Sequence, residues 1–333
     1  MRRPAVWVIV ALTVVLAATS ARAVRTPPTE LATPKAASTP LLSRAQDSAI
    51  TVVAAGDVAC DPRNPSFNRG KGRGSWCRAA ATAAAVDRLA PDAVLALGDL
   101  QYDDGRRTAY RKAYQDSWGG FRRHTHPVPG NHEYWSTSGA GGYFDYFGKR
   151  AGRRGRGWYS FDVGPWHLVA LNSNCDQIAC DAGSDQYRWL QADLAASSNV
   201  CTLAFMHHPL VSSGPHADDP PIGSGPLWRL LYRAGVDVAL AGHDHLYERF
   251  ALLRPDGSKD VATGIRTFVI GTGGAQHYGV VDRAAYSQAV DSSSFGVLRL
   301  VLWPKAYGWR FFPVAGGTFV DEGTGSCHGA PAP

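Results

Sequence analysis

The chain repeats one pattern of apolar and polar positions, in which a short apolar run ends in a polar turn containing glycine and a helix-like segment follows. Residues 50–55 run into Gly56-Asp57, and residues 93–97 run into Gly98-Asp99. The alanine-rich segment between them, residues 78–89, is typical of a helix, because alanine has the highest helix propensity. Nearly continuous apolar strands that alternate with helices indicate buried, largely parallel strands.

The same pattern continues through the rest of the chain. Further strands are predicted at 169–171, 203–206 and 236–241, with helices at 184–196 and 227–233. Strand patterns then dominate, at 267–270, 297–303 and 309–314. No linker rich in proline, glycine or serine follows residue 47, so residues 48–328 are predicted to form one α/β domain and residues 329–333 a tail.

Composition and charge exclude several classes of protein. With 333 residues, 45% hydrophobic and 19% charged, the chain is typical of globular proteins and unlike disordered, collagen-like or coiled-coil ones. The formal net charge of +6 includes three arginines of the first 23 residues, and the remaining 31 basic and 28 acidic residues leave only +3. This balance gives no support for a nucleic-acid partner. A basic run from Lys149 to Arg156 is interpreted as a solvated loop, the alternative being a loop that attracts an anionic substrate.

The N-terminus predicts export. Arg2 and Arg3 precede an apolar run at 5–18 and the small-residue site at 21–23, a pattern typical of a secretory signal peptide over residues 1–23. The run is shorter than the roughly 20 apolar residues of a spanning helix, although an uncleaved anchor is the alternative. Residues 24–47 are predicted to be a disordered lead-in. We therefore expect a secreted or extracytoplasmic protein with no stable membrane association after cleavage.

The six cysteines are expected to form disulfides in an exported protein. Six cysteines allow fifteen pairings. Pairing of cysteines that are close in the sequence favours Cys60 with Cys77 and Cys175 with Cys180, which leaves Cys201 and Cys327 as the third pair. No CxxC pair is present, so thiolate ligation of a metal has little support.

Ionisable residues stand where four of the predicted strands end. Asp57, Asp99, His207 and His243 each follow an apolar strand at once or after one glycine. A single aspartate there is usually a turn or helix cap. Ligands of open α/β sheets bind outside the carboxyl ends of the strands, where four such residues can converge.

At these positions the sequence resembles the calcineurin-like metallophosphoesterases and, within them, the purple acid phosphatase branch. The matching blocks occur in the family's order and are Gly56-Asp57, Gly98-Asp99-Leu100-Gln101-Tyr102, Gly130-Asn131-His132-Glu133, Met206-His207-His208-Pro209 and Gly242-His243-Asp244-His245. Many members of the wider superfamily have Asp-x-His in the first block, whereas this chain has Ala59. The resemblance to the branch implies that Tyr102 replaces that ligand. It also implies an α/β fold of two face-packed β-sheets flanked by helices, in four layers.

The resemblance implies two metal ions that share Asp99. The first would take Asp57, Asp99, Tyr102 and His245, and the second Asp99, Asn131, His207 and His243. Oxygen and imidazole donors suit iron, manganese or zinc better than thiophilic metals. Iron is expected at the Tyr102 site, and iron, zinc or manganese at the other.

Hydrolysis by metal-bound hydroxide is expected, because none of the five blocks places a free serine or cysteine beside a base. His132 is the candidate to protonate the leaving group or hold the phosphate, and His216 is a weaker candidate for substrate contact. His208 is predicted to face away from the site. Glu133 is interpreted as a partner that orients His132 or as a solvated turn residue.

Two further segments are interpreted structurally. The aromatic run Trp135, Tyr143, Phe144, Tyr146 and Phe147 is predicted to pack a long loop, the alternative being a stacking platform. Gly271-Thr272-Gly273-Gly274 is predicted to form a tight turn beside the site, the alternative being a phosphate cradle. The expected activity is hydrolysis of small phosphate monoesters. The alternatives are a phosphodiesterase or nucleotide phosphatase with the same site, and a secreted binding protein without turnover. The oligomeric state is not predicted.

Overall fold

Two mixed β-sheets form the centre of the fold in a computed structural model that describes residues 49–136, 139–217, 219, 225–314 and 316–329. The strands in chain order are β1 Ile50–Ala55, β2 Ala93–Leu97, β3 Thr125–Val128, β4 Tyr159–Val163, β5 Trp166–Ala170, β6 Cys201–Phe205, β7 Val238–Ala241, β8 Tyr247–Leu253, β9 Ile265–Ile270, β10 Ser287–Asp291, β11 Gly296–Trp303, β12 Ala306–Pro313 and β13 Glu322–Ser326. The first sheet has the order β13-β12-β11-β1-β2-β3 and the second β10-β8-β9-β7-β6-β5-β4.

Four helices of seven residues or more lie in the described ranges: α1 Ala79–Leu89, α2 Gly141–Phe147, α3 Asp185–Ala196 and α4 Gly225–Arg233. The Ser184 side chain caps α3 by accepting a 3.1 Å hydrogen bond from the Tyr187 N–H. Shorter helical turns are Asn68–Gly70, Arg107–Ala109, Tyr110–Tyr114, Trp118–Phe121, His132–Tyr134 and Gly148–Ala151.

The parallel strands are those whose apolar runs are nearly continuous. β1, β2 and β3 run parallel, as do β5, β6, β7 and β9. Every residue of β2, β5, β6 and β7 is buried, because each strand is covered on both faces. The later strands β11, β12 and β13 pair antiparallel and extend the first sheet from β1.

The core confirms the predicted four layers. One large cluster joins apolar residues of both sheets, such as Leu95 and Phe268, with α1 residues such as Val86. A second cluster packs α3 and α4 against the other face of the second sheet, through residues such as Leu190 and Trp228. Helices thus flank two face-packed sheets.

The three predicted disulfides are all present. Cys60 pairs with Cys77, Cys175 with Cys180 and Cys201 with Cys327. The last bond ties the C-terminal segment to β6.

The prediction for the aromatic run was partly wrong. Its last four members belong to helix α2 and are buried, so they pack a helix instead of a loop. Trp135, by contrast, is 62% exposed.

The predicted signal peptide and lead-in lie outside the described residues, as does the tail beyond Gly329. Within the described part of the chain, no helix has the length and apolar character needed to cross a membrane.

Candidate metal centre

The carboxyl ends of the parallel strands of both sheets meet at one place. The first sheet brings Asp57, Asp99 and Asn131 from the turns after β1, β2 and β3, and the second brings His207 and His243 from the turns after β6 and β7. Contacts between the sheets hold these turns together: the Gly56 N–H donates to the Ile270 carbonyl at 2.9 Å, and the His243 N–H to Asp57 Oδ2 at 2.9 Å.

Four side chains predicted as one ligand set lie together. The Tyr102 hydroxyl is 2.9 Å from Asp57 Oδ1, 3.1 Å from Asp99 Oδ2 and 2.8 Å from His245 Nε2. His245 Nε2 is also 3.3 Å from Asp57 Oδ1. Ligand atoms about 2.0–2.2 Å from one ion lie about 3 Å apart, so this spacing fits a shared cation.

The second predicted set lies beside the first. His207 Nε2 is 3.0 Å from Asn131 Oδ1, 3.2 Å from His243 Nδ1 and 3.5 Å from Asp99 Oδ2. Asp99 Oδ2 therefore faces both groups, as a bridging carboxylate would. The structure brings together all seven residues predicted as ligands.

The backbone at these turns is held in an unusual conformation. Asp57, Asp99 and His243 have positive φ angles of 61°, 48° and 74°, which side-chain-bearing residues rarely adopt. Gly98 also has a positive φ, and a Cβ atom there would lie 2.5 Å from the His207 ring. Such strain is concentrated at functional sites in proteins, where the surrounding structure maintains it.

Two imidazoles are oriented by hydrogen bonds from their outer nitrogens. His207 Nδ1 lies 2.8 Å from the Leu97 carbonyl, and His245 Nδ1 lies 2.7 Å from the Gln276 carbonyl. A carbonyl can only accept, so each Nδ1 carries the proton and each Nε2 is free to face the centre. Metal-binding histidines commonly have such a partner.

Burial and neighbouring charges shift the pKa values of several side chains in the two ligand sets. Burial, together with the charges of Asp57 and Asp99, raises the pKa of Tyr102 well above its usual value. Burial opposes ionisation of Asp99, but positive charge on His207 and His132 holds the pKa of its carboxyl well below the ordinary range. Burial and the neighbouring His207 and His208 lower the pKa of His243 to about 2, which keeps that imidazole neutral. Burial acts to lower the pKa of His207, but Asp99 raises it to about 9, so a cation bound there would take the place of that proton. Two carboxylates, a phenol, an amide oxygen and imidazoles form a donor set that fits cations of the iron, manganese and zinc type.

Glu133 has neither of the two roles predicted for it. Its buried carboxylate accepts the backbone N–H groups of Asp99 at 2.9 Å and Gly130 at 2.7 Å, and the Tyr110 hydroxyl at 2.9 Å. It also accepts the N–H groups of Leu100 and Gln101. Burial and the charge of Asp99 raise the pKa of Glu133 to about 7, although the hydrogen bonds from Gly130 and Tyr110 act to lower it. Glu133 thus anchors the turns that carry Asp99 and Asn131.

The two candidate catalytic histidines lie at the mouth of the centre. The backbone N–H of His132 donates to Asp99 Oδ1 at 2.9 Å, and its Nδ1 contacts the Asp103 carbonyl, so Nε2 faces Asp99 Oδ2 at 3.7 Å. The His216 ring centre is 5.0 Å from that of His243, and His216 Nδ1 is 2.7 Å from Asp219 Oδ2.

Four residues that the sequence did not assign to the site lie there as well. His208, expected to face away, has its ring centre 4.5 Å from that of His243, with Nδ1 2.8 Å from Ser173 Oγ. Tyr278 stacks on His245 with ring centres 3.9 Å apart. Trp135 and Asp219 line the adjoining cleft. For His208 the position beside His207 was the available clue, and for Trp135 the aromatic run, whereas nothing in the sequence distinguishes Tyr278 and Asp219.

The two loops weighed as possible anion sites both make polar contacts within the protein. The N–H groups of Gly271, Gly273 and Ala275 donate to the carbonyls of Leu246, Gly56 and Asp57, so the glycine-rich segment packs beside the turn that carries Asp57 and these N–H groups already have acceptors. In the basic run, Arg154 pairs with Asp145 at 2.8 Å and Arg156 approaches Asp185 at 3.7 Å.

The chain is similar to known proteins in sequence and in fold. The sequence model of the family described as calcineurin-like phosphoesterase matches residues 50–247. Purple acid phosphatase 21 of Arabidopsis thaliana is 43% identical over 97 residues, 28% of this chain and 22% of the relative. Purple acid phosphatase 23 of the same plant is 28% identical over 207 residues, 50% of this chain and 44% of the relative.

A solved structure, the purple acid phosphatase PPD1 from yellow lupin seeds, superposes with a TM-score of 0.64 at 21% identity. The match covers 83% of this chain and 53% of that one. At this identity the likeness shows the fold alone. The chain spans less than half the length of the two curated relatives.

Proposed function

The chain belongs to the calcineurin-like phosphoesterase family, and from that premise we propose that it hydrolyses small phosphate monoesters at a pair of metal ions. The observation that carries the proposal is the position of Asp99 Oδ2, 3.1 Å from the Tyr102 hydroxyl and 3.5 Å from His207 Nε2. A carboxylate between two donor sets is what a paired-cation site requires. When bound, such a pair neutralises phosphate charge and supplies a nucleophile from water at neutral pH.

The residues that would hold the ions divide into the two sets described above. Asp57, Tyr102 and His245 would bind one, Asn131, His207 and His243 the other, and Asp99 both. The tyrosine favours iron in the first set. Free tyrosine has a pKa near 10, and burial here raises it further, so a phenolate at neutral pH needs a strongly polarising cation.

His132 and His216 would act on the substrate directly. His132 is 15% exposed, and its Nε2 faces the centre beside Asp99. From there it can donate a proton to the oxygen that leaves phosphorus. His216, held by Asp219, can contact the phosphate from the opposite loop.

Export is part of the proposal. All six cysteines are paired in disulfides, and such bonds persist in oxidising compartments. We therefore propose that the enzyme acts outside the cytoplasm.

The function is tested by comparing 4-nitrophenyl phosphate with bis(4-nitrophenyl) phosphate, using protein whose metal content is measured by elemental analysis. We expect two ions per chain and a higher kcat/KM for the monoester. A preference for the diester would support the phosphodiesterase alternative. Two bound ions without hydrolysis of either ester would support the non-catalytic alternative.

His132→Ala is expected to slow esters with basic leaving oxygens by about 10²- to 10⁴-fold, the usual contribution of a general acid. Activated esters need less protonation and should slow much less. The measurement is kcat for phenyl and 4-nitrophenyl phosphate with both metals retained. His124→Ala, at an exposed histidine in the turn before β3, is the control. Equal slowing of the two esters would assign His132 to holding the phosphate.

Tyr102→Phe is expected to remove a visible absorption band that the iron-loaded wild-type protein shows, because the resemblance implies an iron–phenolate bond. Part of the activity should remain, since Asp57, Asp99 and His245 are unchanged. Absorbance is measured per bound iron. Tyr278→Phe, a tyrosine that stacks on His245 but is outside the ligand set, should keep the band. A colourless iron-loaded wild type, or the same band in Tyr102→Phe, would contradict the assignment of Tyr102 as a ligand.

A further inference from the structure

A cleft of about 270 Å³ opens beside the second ligand set. Beyond Asn131 and His243, its lining consists of Trp135, Ser173, Cys175, Asp176, His208 and Asp219. Trp135 is one of two exposed tryptophans among the described residues, the other being Trp76. A large exposed aromatic side chain in a cleft at a catalytic centre is a candidate contact for substrate.

The Trp135 ring is held in place on one wall of the cleft. Its centre lies 3.6 Å from that of His132, the residue proposed to protonate the leaving group. The preceding turn is fixed by Glu133 and by Tyr134, whose hydroxyl accepts a 2.8 Å hydrogen bond from Asn172 Nδ2. A leaving group that extends from His132 into this cleft would therefore lie against the Trp135 ring.

The opposite wall is equally constrained. The Cys175–Cys180 disulfide closes the loop that carries Asp176, and Asn174 Nδ2 donates to the Pro129 carbonyl at 3.0 Å. This second bond links the loop to the segment before Asn131. The cleft is thus formed before a ligand binds, which reduces the entropy cost of ordering its walls on binding.

The charge and size of the cleft limit what it accepts. The described lining residues include two carboxylates, Asp176 and Asp219, and no lysine or arginine. A second phosphate on the substrate would face these two carboxylates, with no lysine or arginine among the described residues beside it. The volume lies just under the roughly 300 Å³ at which pockets for drug-sized ligands begin, so it suits a single ring.

We propose that Trp135 is a specificity-determining residue that stacks on the ring of an aromatic leaving group. This inference rests on the proposed function. It makes aryl phosphate monoesters without a second phosphate the preferred substrate class. Hydrolysis then breaks the ester P–O bond, forms a P–O bond from water, and releases a phenol whose oxygen takes a proton.

The test compares kcat/KM for phenyl phosphate and ethyl phosphate in wild type, Trp135→Leu and Trp135→Phe. Their ratio cancels effects that the two esters share. A disturbance of His132 would slow ethyl phosphate, which has the more basic leaving oxygen, more than phenyl phosphate and would raise the ratio. Aromatic contacts of this kind support a change of up to about tenfold, so we expect the aryl-to-alkyl ratio to fall about tenfold in the Leu variant and to be largely kept by Phe. Trp76→Leu, at the other exposed tryptophan, should leave the ratio as in wild type. An unchanged ratio in Trp135→Leu would overturn the proposal.

A binding measurement separates this inference from the proposed function. Calorimetry of the metal-loaded protein with phenylphosphonate and methylphosphonate, which cannot be hydrolysed as esters, should show tighter binding of the phenyl compound, lost in Trp135→Leu. Absence of turnover with this preference intact would refute the phosphatase and leave the aromatic subsite. Turnover with equal binding of the two phosphonates would refute the subsite alone.

The proposed exclusion of substrates with a second phosphate is tested separately, with benzene-1,4-diphosphonate. We expect it to bind less tightly than phenylphosphonate, because the second anion meets Asp176 and Asp219. Asp176→Asn should reduce the difference in affinity between benzene-1,4-diphosphonate and phenylphosphonate. Tighter binding of the diphosphonate to wild type would overturn the exclusion of doubly phosphorylated substrates.

Discussion

Asp99→Ala is expected to abolish phosphatase activity and to lower the content of both metals, while the protein still folds. Asp99 Oδ2 is the atom that faces both donor sets, at 3.1 Å from the Tyr102 hydroxyl and 3.5 Å from His207 Nε2. Losing only an outer partner of a metal ligand typically costs 10- to 100-fold in affinity or activity. Loss of a ligand shared by two ions should therefore exceed about a hundredfold.

Folding should survive this change because apolar burial forms the surrounding sheet. All five residues of β2, which leads to Asp99, are buried between neighbouring strands. The measurements are elemental analysis, hydrolysis of a monoester and thermal unfolding. Asp116→Ala, at an exposed aspartate away from the centre, is the matched control. Two retained ions with turnover near wild type would refute the shared-ligand assignment.

The convergence of the ligands could be predicted from the sequence, because it depends on where strands end. Asp57, Asp99, His207 and His243 follow strands whose apolar runs are unmistakable, and parallel strands bring their carboxyl ends to one edge. The two-sheet arrangement came from the resemblance. Local propensity alone does not determine that β1 and β9 meet through the Gly56 N–H and the Ile270 carbonyl.

Residues on the loops around the centre could not be predicted in the same way. Tyr278 reaches His245 because its own N–H donates to the His245 carbonyl at 3.1 Å, a contact between segments 33 residues apart. Trp135 shares its cleft with Ser173, Cys175 and Asp176, which come from a distant part of the chain. Such positions follow from tertiary contacts and leave no periodic pattern.

Glu133 shows the same limit at a buried residue. Its sequence neighbours suggested an interaction with His132, yet its carboxylate reaches back to the turn at 99–101. A charged residue beside a ligand in a short turn is ordinarily solvated. Only the fold shows that this one satisfies four backbone donors of the two turns that present Asp99 and Asn131.

Glu133→Ala should therefore cost both stability and activity. It leaves four buried N–H groups and the Tyr110 hydroxyl without their acceptor, and each unsatisfied buried donor costs about 1–3 kcal/mol before relaxation. Water entering the vacated space would satisfy some of them. We expect a net loss of about 3–5 kcal/mol, comparable to breaking a buried ionic contact.

In a domain of this size the loss corresponds to a fall in Tm on the order of 10 °C. Turnover per folded molecule should fall more than about tenfold, because the backbone positions of Asp99 and Asn131 are no longer held. Glu322→Ala, at an exposed glutamate on β13, should change stability by no more than about 0.5 kcal/mol.

Glu133→Gln distinguishes the contribution of charge from that of shape. Its amide directs N–H groups at one pair of backbone donors, so most of the loss should persist. Wild-type Tm and turnover in that variant would mean that a neutral side chain of the same shape suffices, and would contradict the role of the carboxylate as the acceptor that holds the centre together.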